Sequence, residues 1–246
     1  MKRDQPFPIA ARLAEIEPFH VMEVQNRAQA LEAQGRHIIH MEIGQPDFAA
    51  PPQVIEAAIR AMRERSLGYT AALGLPELRE AISNFYRGRH GVDVPAERIV
   101  VTAGASGAFL LALGALVDPN DEVLMPDPCY PCNRHFVRLF EGRARRVAVD
   151  ERQSYQLSES DVRREWNGGV RGVMLASPSN PTGTTIPTNE LRGILDFAVS
   201  RRGYAVVDEI YHGLTYGGPL ATALAFSDQI FVVNSFSKYF NMTGWR

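Results

Sequence analysis

The chain has 246 residues, 45% of them hydrophobic and 22% charged, with a formal net charge of -2. That is the composition of a globular protein large enough for one sizeable domain, or one domain plus part of another. The near-neutral balance gives no electrostatic case for nucleic acid or an anionic membrane, and no apolar run approaches the ~20 residues of a membrane span.

Residues 1–17 are polar and proline-containing and read as an arm, without the apolar core of a signal peptide, so a cytoplasmic protein is expected. Val21 to Ala33 has apolar residues at helical spacing and stops before Gly35. His37 to Ile43 reads as a strand, broken by Gly44-Gln-Pro-Asp-Phe48. Pro51 and Pro52 open a helix through Val54, Ala57, Ile59 and Met62. Gly68 to Gly74 is a loop, and a helix follows from Pro76 to Arg87.

From Arg98 onward short apolar runs alternate with amphipathic stretches. Strands are predicted at Ile99–Thr102, Glu122–Met125, around Val147, at Val173–Ala176, Tyr204–Val207 and Gln229–Val233. Helices are predicted at Ser106–Leu116, Pro131–Phe140, Ser158–Trp166 and Asn189–Val199. This alternation means an α/β fold, a mostly parallel sheet sandwiched by helices.

Cys129 and Cys132 have a spacing that could serve redox or zinc chemistry, but no second Cys pair or spaced His pair completes a zinc site. Two unbridged thiols are expected there, and no metal. His37 and His40 point to opposite faces of the predicted strand and cannot chelate together.

The unusual residues fall just past the C-terminal ends of the strands, where open α/β sheets bind ligands. Ala103-Gly-Ala-Ser-Gly-Ala108 leads straight into a helix; Gly104, Ala105 and Ser106 could let backbone N–H groups approach a phosphate. The loop also resembles a dinucleotide loop faintly, without the G-x-G-x-x-G spacing. Tyr130, in Asp127-Pro-Cys-Tyr-Pro131, either stacks on a planar ring or packs as an ordinary tyrosine. Ser177-Pro-Ser-Asn-Pro-Thr-Gly183 fixes a tight loop that presents the Asn180 amide as a donor.

Asp208, in Asp208-Glu-Ile-Tyr211, either caps a helix or meets a cation, since a carboxylate at a buried strand end is costly unpaired. Tyr211 lies within reach of the same ligand. Ser235 and Ser237 flank Phe236, Lys238 follows at once, and Arg246 comes after a glycine at 244. Two hydroxyls and a guanidinium can hold a phosphate, and the lysine beside it can form an imine with a carbonyl. One ligand takes a phosphate, an aldehyde, a phenolic oxygen (Asn180, Tyr211), a ring nitrogen (Asp208) and a flat face (Tyr130): pyridoxal 5′-phosphate.

Ser177-Pro-Ser-Asn-Pro-Thr-Gly183, Asp208-Glu-Ile-Tyr211 and Ser235-Phe-Ser-Lys238 with Gly244-Trp-Arg246 resemble, in order and approximate spacing, the motifs of the class I/II aminotransferases. These are pyridoxal-phosphate enzymes with the aspartate aminotransferase fold, and the resemblance runs from Ile43-Gly-Gln-Pro-Asp-Phe48 onward. It implies that Gly44, through its backbone, and Asn180 meet the substrate. It implies that Tyr69 reaches the phosphate of the neighbouring subunit in a homodimer. Lys238 is then both the amine partner of the cofactor and the base that moves the substrate's α-proton. The resemblance divides the chain into an arm and part of a small domain (1–45) and a cofactor-binding large domain (46–246). It also implies a longer chain, with a C-terminal small domain missing here and weak activity without it.

The expected reaction is amino transfer between an amino acid and a 2-oxo acid, as in amino acid metabolism. Two other readings compete. One is elimination on the same scaffold, such as a C–S β-lyase, because the motifs hold a cofactor without selecting the bond broken. The other is a non-catalytic cofactor-binding fragment, against which the presence of Lys238 argues.

Overall fold

The computed structural model describes residues 8–65 and 67–245. Arg246, expected to hold phosphate, and the first seven residues of the arm lie outside the described residues. Seven helices are described: α1 (His20–Glu32), α2 (Pro52–Glu64), α3 (Pro76–His90), α4 (Gly104–Leu116), α5 (Cys132–Leu139), α6 (Glu159–Glu165) and α7 (Thr188–Ser200). Five strands form one sheet: β1 (Glu122–Asp127), β2 (Arg143–Ala148), β3 (Val170–Ala176), β4 (Tyr204–Asp208) and β5 (Phe231–Val233). Their order is β2-β1-β3-β4-β5 and every pairing is parallel. The expected α/β sandwich is therefore present.

Side chains alternate across the sheet with a period of two, which sorts the core into two layers. Leu124, Val173, Leu175, Ala205 and Val207 face α6 and α7, packing with Val162, Leu191, Ile194 and Leu195. Val123, Met125, Met174, Val206 and Val233 face α4 and α5, packing with Phe109, Leu113 and Val137. Helix ends are fixed by local chemistry. Pro52 and Pro76 open α2 and α3, where a missing N–H is harmless. Ser158 and Asp161 form a reciprocal capping box on α6, and Gly91 closes α3 with φ 66°.

Two expected strands are absent from the sheet. His37 to Ile43 has the apolar alternation of a strand, yet Ile39 and Met41 are exposed and no described strand pairs with it. It is tied to α1 by His40, whose Nε2 lies 2.9 Å from Glu32 and Nδ1 2.7 Å from Glu42. Ile99 to Thr102 is extended but makes no ladder; its Val101 N–H donates to the Leu73 carbonyl at 2.9 Å. Both segments carry strand propensity without a described partner. Conversely, β2 starts earlier than its apolar residues suggest, taking in Arg143, Arg145 and Arg146. It is an edge strand, and such charges discourage further pairing. Arg145 is neutralised by Glu122 and Glu165, at 3.1 and 2.9 Å.

Among the described residues no helix is long and apolar enough to cross a membrane.

Candidate active site

The C-terminal ends of β1, β3, β4 and β5 converge on one region, on the side where α4 begins. On β4, Val206 packs in the layer of α4 and α5, so alternation sends Asp208 to that same side. Asp208 is 8% exposed, and its carboxylate accepts one hydrogen bond, from the Ile210 N–H at 3.0 Å. No helix begins there, so the capping alternative fails; the bond closes a turn. Burial pushes the Asp208 carboxyl up to about 7, and among the described residues no cation is paired with it. Glu209, one residue on, faces the opposite layer. Its fully buried carboxyl accepts from Thr222 Oγ1 at 2.8 Å and Ala223 N–H at 2.6 Å.

The loop after β3 brings Asn180 to Asp208's neighbour: Asn180 Nδ2 donates to the Tyr211 hydroxyl at 3.4 Å. The loop is closed by Ser179 N–H to the Thr184 carbonyl (2.9 Å) and Gly183 N–H to the Ser179 carbonyl (2.8 Å). Gln156 locks it from outside, its Nε2 donating to the carbonyls of Ala176 and Thr184 at 3.2 and 2.9 Å. Burial raises the Tyr211 phenol, the Asn180 bond opposes this, and the nearby Asp208 carboxylate adds to it.

Tyr130 occupies the turn between β1 and α5. Its phenol is held above the ordinary range by burial, then by Cys132, with Tyr211 and Asp208 close enough to add to the effect. Phe19 meets its ring edge-on, centroids 5.7 Å apart. Cys129 and Cys132 are both free thiols, and burial lifts Cys129 to about 11, which leaves it protonated and inert near neutrality.

Beyond β5, the Ser235 hydroxyl donates to Ser237 Oγ at 2.8 Å and accepts from the Ser237 N–H at 3.0 Å. Thr243 Oγ1 pins the same turn by donating to the Ser237 carbonyl at 2.7 Å. Lys238 Nζ donates to the Gly44 carbonyl at 3.0 Å and lies 5.8 Å from the Tyr211 ring centroid. This bond brings Gly44 into the site. Gly104, Ala105 and Ser106 form the first turn of α4, two residues earlier than the expected helix start. The Gly104 N–H is committed to the Thr102 carbonyl at 2.8 Å, so the free first-turn donors come from the residues after it.

Tyr69 is not in this cluster; at 110% of the reference exposure it projects into solvent. Sequence reasoning missed Gln156 and Phe19, which act over long separations and sit in no recognisable spacing. It also left Glu209 unassigned, although an acid next to Asp208 must face the other layer.

A lysine amine, a buried carboxyl, an amide–phenol pair and two hydrogen-bonded hydroxyls thus gather beyond the C-terminal ends of the strands. Comparison with known proteins shows the family. The model for aminotransferase class I and II matches residues 36–246. The chain is 40% identical over 235 residues to valine–pyruvate aminotransferase of Mycobacterium tuberculosis, covering 95% of this chain and 60% of that protein. It is 36% identical to a (5-formylfuran-3-yl)methyl phosphate transaminase of Methanocaldococcus jannaschii, over 97% of this chain and 62% of the relative. Among solved structures, the aspartate aminotransferase of Thermus thermophilus with maleate superposes with a TM-score of 0.93 at 32% identity, covering 98% of this chain and 63% of that one. The chain thus spans about three fifths of the length of the relatives it matches. With the match extending over most of its residues, the chain belongs to the class I and II aminotransferase family.

Proposed function

We propose that this site holds pyridoxal 5′-phosphate and serves amino transfer between an amino acid and a 2-oxo acid. The observation that carries the reading is Asp208: a buried carboxyl, raised to about 7 and with no described cation paired to it, near the Tyr211 phenol that Asn180 bonds and that Lys238 approaches. A protonated ring nitrogen would supply the missing charge.

When bound, the cofactor supplies a carbonyl to capture amino groups and a ring that withdraws electrons from the bonds around the substrate's α-carbon. Asp208 would accept from the ring N–H and hold it cationic. Asn180 Nδ2 and the Tyr211 hydroxyl donate to the phenolic oxygen. Tyr130 covers one face and excludes water. Ser235 and Ser237, with the first turn of α4, hold the phosphate, and Arg246 completes that set. Lys238, whose Nζ is bonded to the Gly44 carbonyl, would supply the amine that meets the aldehyde and would take and return the proton at the substrate's α-carbon. Gly44 and Asn180 flank the substrate carboxylate.

The same reading makes 1–45 an arm with part of a small domain and 46–246 the cofactor-binding domain. Tyr69, standing clear of its own chain, supports a homodimer in which it contributes to the neighbouring site. Two free cysteines in a C-x-x-C spacing support a reducing, cytoplasmic setting.

The test is an assay of the purified protein with pyridoxal 5′-phosphate, a panel of amino acids and 2-oxoglutarate. Glutamate formed mole for mole with a new 2-oxo acid is expected. Ammonia release without glutamate would replace transfer by elimination, and a protein that fails to bind the cofactor would end the reading altogether.

A further inference from the structure

One polar side chain in the segment after β5 has no task in the chemistry above. Asn234 Nδ2 donates to the hydroxyl of Tyr86 at 3.2 Å, and Asn234 Oδ1 accepts the Ser235 N–H at 2.7 Å. Tyr86 belongs to α3, 148 residues away in sequence, and is buried, with its ring against Phe85 and His90. The backbone just before Asn234 is fixed independently, since the Val233 carbonyl accepts the Glu209 N–H at 2.8 Å. Asn234 is therefore held by the residue that follows β4 on one side and by α3 on the other.

Its anchoring is passed on to the two serines. Asn234 consumes the Ser235 N–H and sets the direction in which Ser235 leaves the strand. Ser235 Oγ in turn accepts the Ser237 N–H, so both backbone donors are spent inside the turn and the two hydroxyls are left 2.8 Å apart. Each serine rotor can then donate outward to one oxyanion without rebuilding the backbone. A turn not held at its first residue would have to order itself on binding, at a cost in affinity.

We propose that Tyr86 and Asn234 are positioning residues for the phosphate end of the ligand, fixing the Ser235–Ser237 turn through the Asn234 amide. The inference rests on the cofactor reading above and extends it to two residues that touch no ligand atom. A merely structural tie between α3 and β5 would weaken every ligand alike. A phosphate-positioning tie acts on the phosphate alone.

Pyridoxal 5′-phosphate and pyridoxal share the aldehyde, the phenolic oxygen and the ring nitrogen and differ in the phosphate. The experiment measures dissociation constants of both by absorbance titration for the wild-type protein, Tyr86→Phe and Asn234→Ala, with thermal unfolding as a check on folding. Tyr86→Phe keeps the ring and removes the acceptor, so it should weaken pyridoxal 5′-phosphate about tenfold and leave pyridoxal unchanged. Asn234→Ala should do the same or more, and inorganic phosphate should compete less well in both variants. An unchanged preference for the phosphorylated ligand in variants that fold, or equal loss of both ligands, overturns the proposal. If the wild-type protein shows no preference for the phosphorylated ligand, the cofactor reading itself fails, a result distinct from the other two.

Discussion

Replacing Asp208 by asparagine should stabilise the cofactor-free protein, increasingly so as pH rises. Burial lifts this carboxyl from its ordinary 3.8 to about 7, so between those values the folded form keeps a proton that the unfolded chain has released. Stability then falls with rising pH through that window and levels off above pH 7. From pH 5 to pH 8 the loss traceable to Asp208 is about 2.7 kcal/mol, at 1.36 kcal/mol per pH unit up to the folded value. Asparagine has nearly the same shape, can still accept the Ile210 N–H, and carries no charge to bury. Its new NH2 costs something at every pH, so the informative quantity is the change in the variant's advantage between the two pH values. For a chain of this size that change corresponds to roughly 5–10 °C in melting temperature. Glu209, also raised to about 7, adds a fall of the same sign, while His212, lowered to about 4 by burial, opposes it between about 4 and 6.5. His212 is the same in both proteins and cancels; Glu209 cancels except for the smaller part of its rise that comes from the Asp208 charge, which acts in the same direction and is lost with it. Adding pyridoxal 5′-phosphate should reverse the order, because only the carboxylate pairs with a ring cation. Calorimetric scans at pH 5 and 8, with and without the ligand, decide it. A variant whose advantage is the same at both pH values, or that gains as much from the ligand as wild type, would refute the reasoning.

Borohydride reduction of the loaded protein should attach the cofactor within the segment 234–246, at Lys238; peptide mapping that finds it on Lys2, the one other lysine, would displace the assignment. Gln156→Ala removes donors from the carbonyls of Ala176 and Thr184 and should cost about 2–4 kcal/mol in denaturant unfolding, with faster hydrogen exchange at Gly183 and Thr184; unaltered exchange there would show that the loop holds itself. Gly172 sits opposite Tyr204 on the neighbouring strand, and a Cβ there would enter the Tyr204 ring, so Gly172→Ala should destabilise by about 1–3 kcal/mol. A variant as stable as wild type would mean that the ring can swing aside.

The parallel sheet was legible because its central strands are buried on both faces, so their apolar runs are nearly continuous. The same logic failed at His37–Ile43 and Ile99–Thr102, where the residues favour an extended chain but a ladder needs a second chain segment, and propensity does not say where that lies. At β2 it found the strand but placed its start late, because Arg143, Arg145 and Arg146 interrupt the apolar run. In the site, Lys238, Asp208, Asn180 and the serine pair were readable because each lies immediately beyond a strand, in a short motif with its own turn chemistry. Gln156, Tyr86 and Phe19 were not, since their meaning comes from contacts made across the fold. The bond from the Gly104 N–H to the Thr102 carbonyl was not legible either, since it depends on the tight turn at the first residue of α4.

Of the 26 lysines and arginines, two are lysines, and Lys238 is the one within the described residues. The consequence reaches beyond catalysis. A guanidinium stays protonated at any pH the fold tolerates and does not add to aldehydes as an amine does. The described surface can therefore carry its positive charge without offering reactive carbonyls a second lysine. Apart from Lys2 and the terminal amino group, an amine-directed reagent has a single side chain to find. A fluorescent aldehyde or active ester becomes a reporter of whether that side chain is bonded to the Gly44 carbonyl, engaged with a ligand, or open to solvent.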